Sequence, residues 1–112
     1  MKLNEIEYNG KKYPIAFDLN VMEQIQDEFG TINNWSELTS AEEPKIKAVI
    51  FGFWAMINEG IEIWNEEHED KLKPMSLKQV GRMITDVGMA EATGVLQGAV
   101  VDSVSDDEEK NA

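Results

Sequence analysis

Between Ile46 and Trp64 nearly every third or fourth residue is large and apolar, and this stretch limits what the chain can fold into more than any other. Ile46, Ile50, Phe53 and Ile57 fall on one side of a helix, while Phe51, Trp54 and Met56 cover much of the rest. A helix apolar nearly all round has to be surrounded by other elements, so the spacing predicts a central core helix. Its most apolar part, Val49 to Ile57, is about half the roughly 20 residues needed to cross a bilayer, which also reads as buried core. Ile50, Trp54, Ile57, Ile61 and Trp64 then repeat in steps of four, three, four and three, the seam of a helix packed along its length. On that pattern the helix is expected to run from about Ala41 to about Glu69, passing through Gly60 at roughly 1 kcal/mol relative to alanine. Gly60→Ala is accordingly expected to stabilise the fold.

The flanking segments supply what that helix packs against. Ile6 and Tyr8, then Tyr13, Ile15 and Phe17, alternate with polar residues, and Asn9-Gly10 between them is a two-residue hairpin signal. A β-hairpin is expected from about Leu3 to Phe17, with Ile6 opposite Tyr13, Glu7 opposite Lys12 and Tyr8 opposite Lys11. Ile6, Tyr8, Tyr13 and Ile15 then share one face. Pro14 cannot donate to a ladder, so its strand should lie at an edge or turn that position outward. Asn20 with Glu23 reads as the cap of a short helix carrying Met22, Ile25 and Phe29 and closed by Gly30. Thr31 to Leu38 reads as a loop carrying Trp35, and Ser40 with Glu43 as the cap of the long helix, Pro44 lying in its first turn.

Beyond the break at Pro74, Ser76 with Gln79 caps a helix carrying Leu77, Val80, Met83, Ile84 and Val87, closed by Gly88. A last helix from about Met89 to about Val101 holds Val95, Leu96 and Ala99, with Gly94 and Gly98 leaving room for a close neighbour. The fold class expected is α+β, mostly α: an N-terminal β-hairpin followed by four or so helices around a long central apolar one. Residues 1–102 form one globular domain, and 103–112 an acidic tail too polar to fold alone.

The charge restricts the function classes. Of 112 residues, 22 are acidic and 10 basic, a formal charge of -12, and such a field repels nucleic-acid backbones and anionic lipid surfaces. Lys2 is followed by Asn4, Glu5 and Glu7 where the apolar stretch of a secretory signal would begin, so a soluble protein inside the cell is expected. With no cysteine there are no disulfides, thiol catalysis or thiolate metal sites. The single histidine, His68, has no serine or second histidine near it in sequence to build a nucleophilic triad or zinc site. The run Asn65-Glu66-Glu67-His68-Glu69-Asp70 lacks the glycine and the final glutamate of a helix-loop-helix calcium site, leaving weak cation binding at most. Glycine-rich phosphate loops are absent. A chain without catalytic residues, metal or cofactor is expected, one that binds another protein. Trp35 in its polar loop, and Trp64 beside the acidic cluster with Ile61 next to it, are the candidate partner anchors.

The segments Ile6-Glu7-Tyr8-Asn9-Gly10-Lys11-Lys12-Tyr13-Pro14-Ile15 and Phe17-Asp18-Leu19-Asn20-Val21-Met22-Glu23 resemble the opening of tail assembly chaperones from long-tailed bacteriophages and prophages of Gram-positive bacteria. The later Asn58-Glu59-Gly60-Ile61-Glu62 and Ser76-Leu77-Lys78-Gln79-Val80-Gly81-Arg82 are similar to the same family, so the likeness covers most of the chain. It implies a phage or prophage protein, located in the cytoplasm of the bacterial host, that coats the tape measure protein and helps recruit the major tail tube protein. A frameshifted longer form of the chain is a further implied partner, and a homo-oligomer is compatible with the family. Glu109-Lys110-Asn111 can be encoded by a run of A residues forming a slippery heptamer, which fits the short product of such a frameshift pair. No family motif marks a catalytic residue. The reading from another class is an acidic mimic of nucleic acid that blocks a DNA-handling enzyme, which the charge permits. Against that reading, the acids gather in two places rather than along a rod.

Overall fold

The computed structural model describes the backbone of residues 3–111 and the side chains of residues 3–102. It is α+β and mostly α: a two-stranded antiparallel hairpin followed by five helices. Strands β1 (Asn4–Tyr8) and β2 (Lys11–Ile15) pair in the register read from the turn, with Ile6 opposite Tyr13, Glu7 opposite Lys12 and Tyr8 opposite Lys11. Asn9 and Gly10 both have positive φ, 53° and 75°, as a two-residue turn matched to the twist of its strands requires. Pro14 lies on an edge strand, as its missing N–H demands, yet it is buried rather than turned outward.

Helix α1 (Leu19–Phe29) is capped by Asp18, whose carboxylate accepts from the Val21 N–H at 3.1 Å, and not by Asn20. Asn20 falls inside the first turn, where its amide is free to donate to Glu59 at 3.0 Å. Gly30, with φ 85°, closes the helix. The segment expected to be a loop is helix α2 (Ile32–Ser40), opened by the Thr31 hydroxyl accepting from the Asn34 N–H at 2.9 Å. Its cap is a plain threonine without the glutamate that completes a capping box, so the sequence pattern gave little warning of it.

Because α2 extends through Ser40, that hydroxyl donates back to the Ser36 carbonyl at 2.7 Å and cannot cap the next helix. Helix α3 (Ile46–Glu67) therefore starts five residues later than expected, behind Lys45, which supplies no side-chain cap. Pro44 lies ahead of it. The helix does run unbroken through Gly60 and carries nine buried residues, the largest share of the core. Helix α4 (Leu77–Val87) has the predicted capping box: the Gln79 N–H donates to the Ser76 hydroxyl and the Ser76 N–H to the Gln79 carboxamide. Gly88, φ 98°, turns the chain into α5 (Met89–Asn111), whose Ala92, Leu96 and Ala99 are buried.

Gly94 and Gly98 were expected to admit a close neighbour, but a Cβ at either would meet nothing within 4 Å. The buried positions of α5 are Ala92, Leu96 and Ala99, so its small residues at the contact are alanines. The α5 backbone is continuous past Val101 to Asn111, while the side chains of the acidic segment expected from Ser103, including Glu109, Lys110 and Asn111, lie outside the described residues.

Two features tie the long helix to its surroundings. The hairpin lies directly on α3: the Ala16 N–H donates to the Met56 carbonyl at 3.1 Å, and the Pro14 carbonyl group sits against Gly60. A Cβ on Gly60 would collide with the Pro14 carbonyl oxygen, and would stand 2.8 Å from the Ile15 nitrogen. The absence of a side chain is thus what lets β2 approach, and the expectation that Gly60→Ala stabilises is overturned. The second feature is the connection from α3 to α4, held by two asparagines seven residues apart. Asn58 donates to the Met75 carbonyl and accepts from the Met75 N–H at 2.9 and 2.8 Å, and Asn65 does the same for Leu72 at 3.0 and 2.8 Å. Each carboxamide presents a donor and an acceptor side by side, which pairs one residue of extended chain as a strand would.

Candidate partner-binding surface

The three anchors expected from sequence are not brought together on a surface. Trp35 is 1% exposed: it stacks on Phe17 with ring centroids 6.1 Å apart, and its indole N–H donates to the Ala48 carbonyl at 3.0 Å. Gly52 makes room for it, since a Cβ there would lie 2.5 Å from the indole ring. Once α2 is a helix, Trp35 faces inward and offers nothing to a partner. Ile61 is likewise 1% exposed and belongs to the core. Trp64 alone is half-buried, and the His68 ring one turn on lies parallel to it at 3.5 Å. The Trp64 indole N–H is buried without a protein acceptor among the described residues.

A strongly apolar opening lies elsewhere, between the start of α3 and the start of α4. A groove of about 460 Å³ there is walled by Ile46, Ile50 and Phe51 from α3 and by Leu77 and Gly81 from α4, with Lys47 and Lys78 at its edges. Ile46 is 60% and Leu77 47% exposed, so two of the four large hydrophobics most open to solvent among the described residues meet in one place. Ile46 and Ile50, one helical turn apart, form an i, i+4 ridge, whereas on the facing wall Leu77 is followed one turn on by Gly81, which has no side chain. Gly81 keeps the floor low: a Cβ on it would meet only the Ile50 Cδ1, at an ordinary 3.6 Å.

The sequence did contain part of this surface. Both Ile46 and Leu77 stand at core spacing on helices whose other apolar residues are buried or half-buried. Nothing in one-dimensional spacing tells which end of an apolar stripe lacks a neighbour.

The electrostatics divide along α3. Lys45, Ile46 and Lys47 are exposed at its start, and Lys78 and Arg82 on α4 are exposed one turn apart. No acidic residue lines the groove. Lys47 pairs with Glu28 at 2.9 Å, both side chains well solvated, a contact that contributes little and exchanges readily. Near the middle of α3 the charge is opposite. Glu59 shares a hydrogen bond with Asp18 and loses some hydration, which together push its carboxyl up to about 7, while the Asn20 amide partly offsets them. On α4, Asp86 accepts from the Tyr8 hydroxyl at 3.0 Å, and that hydrogen bond is the main reason the phenol titrates above its usual range.

Among the described residues no group of three or more histidine, aspartate or glutamate side chains is placed to hold a metal ion, and no helix is long and apolar enough to cross a membrane. No protein-family model, curated protein or solved structure matches the chain.

Proposed function

We propose that this chain is a non-catalytic assembly chaperone of phage tails that holds the tape measure protein in the host cytoplasm before the tail tube forms around it. The observation that carries the reading is the apolar groove between α3 and α4 on a molecule of net charge -12. A protein that keeps a long, helix-rich, apolar-striped chain in solution needs an accessible apolar contact and a strongly charged remainder, and both are present. The resemblance of the hairpin and the Asp18–Glu23 segment to tail assembly chaperones points the same way. Recruitment of the major tail tube protein, and pairing with a frameshifted longer form, belong to the same proposal.

The test is co-expression of the chain with the long helical protein encoded next to it, followed by affinity capture and size-exclusion chromatography. A soluble complex containing that protein is the expected result. Capture of a nuclease or polymerase instead, with the tape measure protein left insoluble, would overturn the proposal.

A further inference from the structure

We infer that the α3–α4 groove is a docking surface for one amphipathic helix whose apolar stripe is flanked by acidic residues. The inference rests on the chaperone reading only for the source of that helix, a segment of the tape measure protein. The geometry of the walls selects a helix. Ile46 and Ile50 form an i, i+4 ridge on α3, Leu77 stands across from it on α4, and the gap left at Gly81 accepts the ridge of a third helix. Its anchors would enter at i, i+3, i+4 and i+7. Gly81 leaves the floor open where an ordinary side chain would close it.

Charge selects the flanks. The groove has lysines at both edges, Lys47 on α3 and Lys78 on α4, with Lys45 and Arg82 exposed beside them and no acid in its lining. These are four of only 10 basic residues in the chain. The overall charge of -12 does not cancel this local preference. Along α3 the first acid is Glu59, eight residues beyond Phe51 and about 12 Å away at 1.5 Å per residue, while Glu42 and Glu43 stand exposed just ahead of Ile46. The α3 edge is therefore mixed in charge, and a docked helix takes its preference from the α4 edge, where Lys78 and Arg82 are exposed. Lys47 is already paired with Glu28, which leaves Lys78 and Arg82 to meet an incoming carboxylate.

The experiment uses the full chain and a labelled 18-residue helical peptide with leucines at i, i+3, i+4 and i+7 flanked by glutamates, followed by fluorescence anisotropy. A second peptide has lysines in place of the glutamates. The glutamate peptide should bind at least tenfold more tightly than the lysine peptide. Gly81→Leu, which fills the floor, should weaken binding at least tenfold with no fall in melting temperature. Lys78→Glu should narrow or reverse the preference between peptides. Equal binding of both peptides, or binding indifferent to Gly81→Leu, would overturn the inference. So would self-association of the wild-type chain abolished by Gly81→Leu, since a second copy would then be the occupant. Repeating the Gly81→Leu comparison with the tape measure protein separates the two proposals. Undiminished capture leaves the chaperone role standing and removes the groove from it. Binding of the designed peptide with no tape measure capture does the reverse.

Discussion

Two stretches of α3, on either side of the Phe51–Gly52 bond, are both rich in apolar side chains and meet different fates. From Gly52 to Ile61 the helix is enclosed, with the hairpin backbone pressed on Gly60 and Trp35 pressed on Gly52. From Ile46 to Phe51 the same helix stands partly open: Ala48 and Val49 are buried, while Ile46, Ile50 and Phe51 share a groove with Leu77 and Gly81 under a rim of lysines. The difference lies in what approaches each half. The enclosed half has glycines where backbone or an indole ring comes too near for a Cβ, and the open half faces a glycine on α4 that nothing fills. Two glycines in helix interiors, Gly60 and Gly81, thus have opposite meanings, one a point of contact and the other a space.

The strongest way to break this comparison is to substitute both glycines. Gly60→Ala should destabilise the fold by about 3 kcal/mol, because the neighbour in its way is the Pro14 carbonyl and backbone cannot step aside as a flexible side chain can. A urea melt reads this directly, and an unchanged or raised midpoint would mean that β2 does not rest on α3 there. Next in size is the connection to α4. Asn58→Ala removes both partners of Met75 and should cost about 2 kcal/mol, from two hydrogen bonds of about 1 kcal/mol each at a partly buried site. Asn65→Ala should follow at the same size or less. Hydrogen exchange at the Leu72 and Met75 amides should quicken selectively in the respective variants, and uniform protection would refute the pairing.

Gly81→Ala should act in the other direction, raising stability by up to about 1 kcal/mol, since alanine is the better helix former and its methyl group would make only an ordinary contact with Ile50. If Gly81→Ala and Gly60→Ala shift the melting temperature with the same sign, the contrast between the two halves fails. The smallest effect expected is a pH dependence at the enclosed half. Glu59 titrates near 4.5 when free and is pushed up to about 7 in the fold. Between those values the folded chain holds more proton than the unfolded one, so stability should decline as pH rises from about 4.5 to about 7 and change no further on this account. Solvent screening at this half-buried carboxyl keeps the decline modest. Glu59→Gln should flatten that part of the profile in thermal melts taken at intervals of pH, and an identical slope in the variant would assign it to other groups.

The hairpin register, the Gly30 and Gly88 stops, the Ser76–Gln79 capping box and the passage of α3 through Gly60 were all legible in the sequence. Each depends on residues within a few positions of one another: a turn that needs positive φ, a hydroxyl three residues from its N–H, or a stripe at helical spacing. Where the local signals competed, they misled. Ser40 can cap a following helix or bond back into its own, and only the extent of α2 decides which.

Position relative to other elements was not legible at all. Trp35 in a polar segment reads as an exposed anchor until Phe17, Ala48 and Gly52 close around it. Gly60 reads as a tolerated weakness until Pro14, forty-six residues earlier, lands on it. Ile46 and Leu77 read as core because periodicity records which face of a helix is apolar and not whether anything covers that face. Sequence determined the elements, since their causes are short-range. The tertiary structure decided which apolar surface was left over, because that depends on how many neighbours each stretch of helix receives.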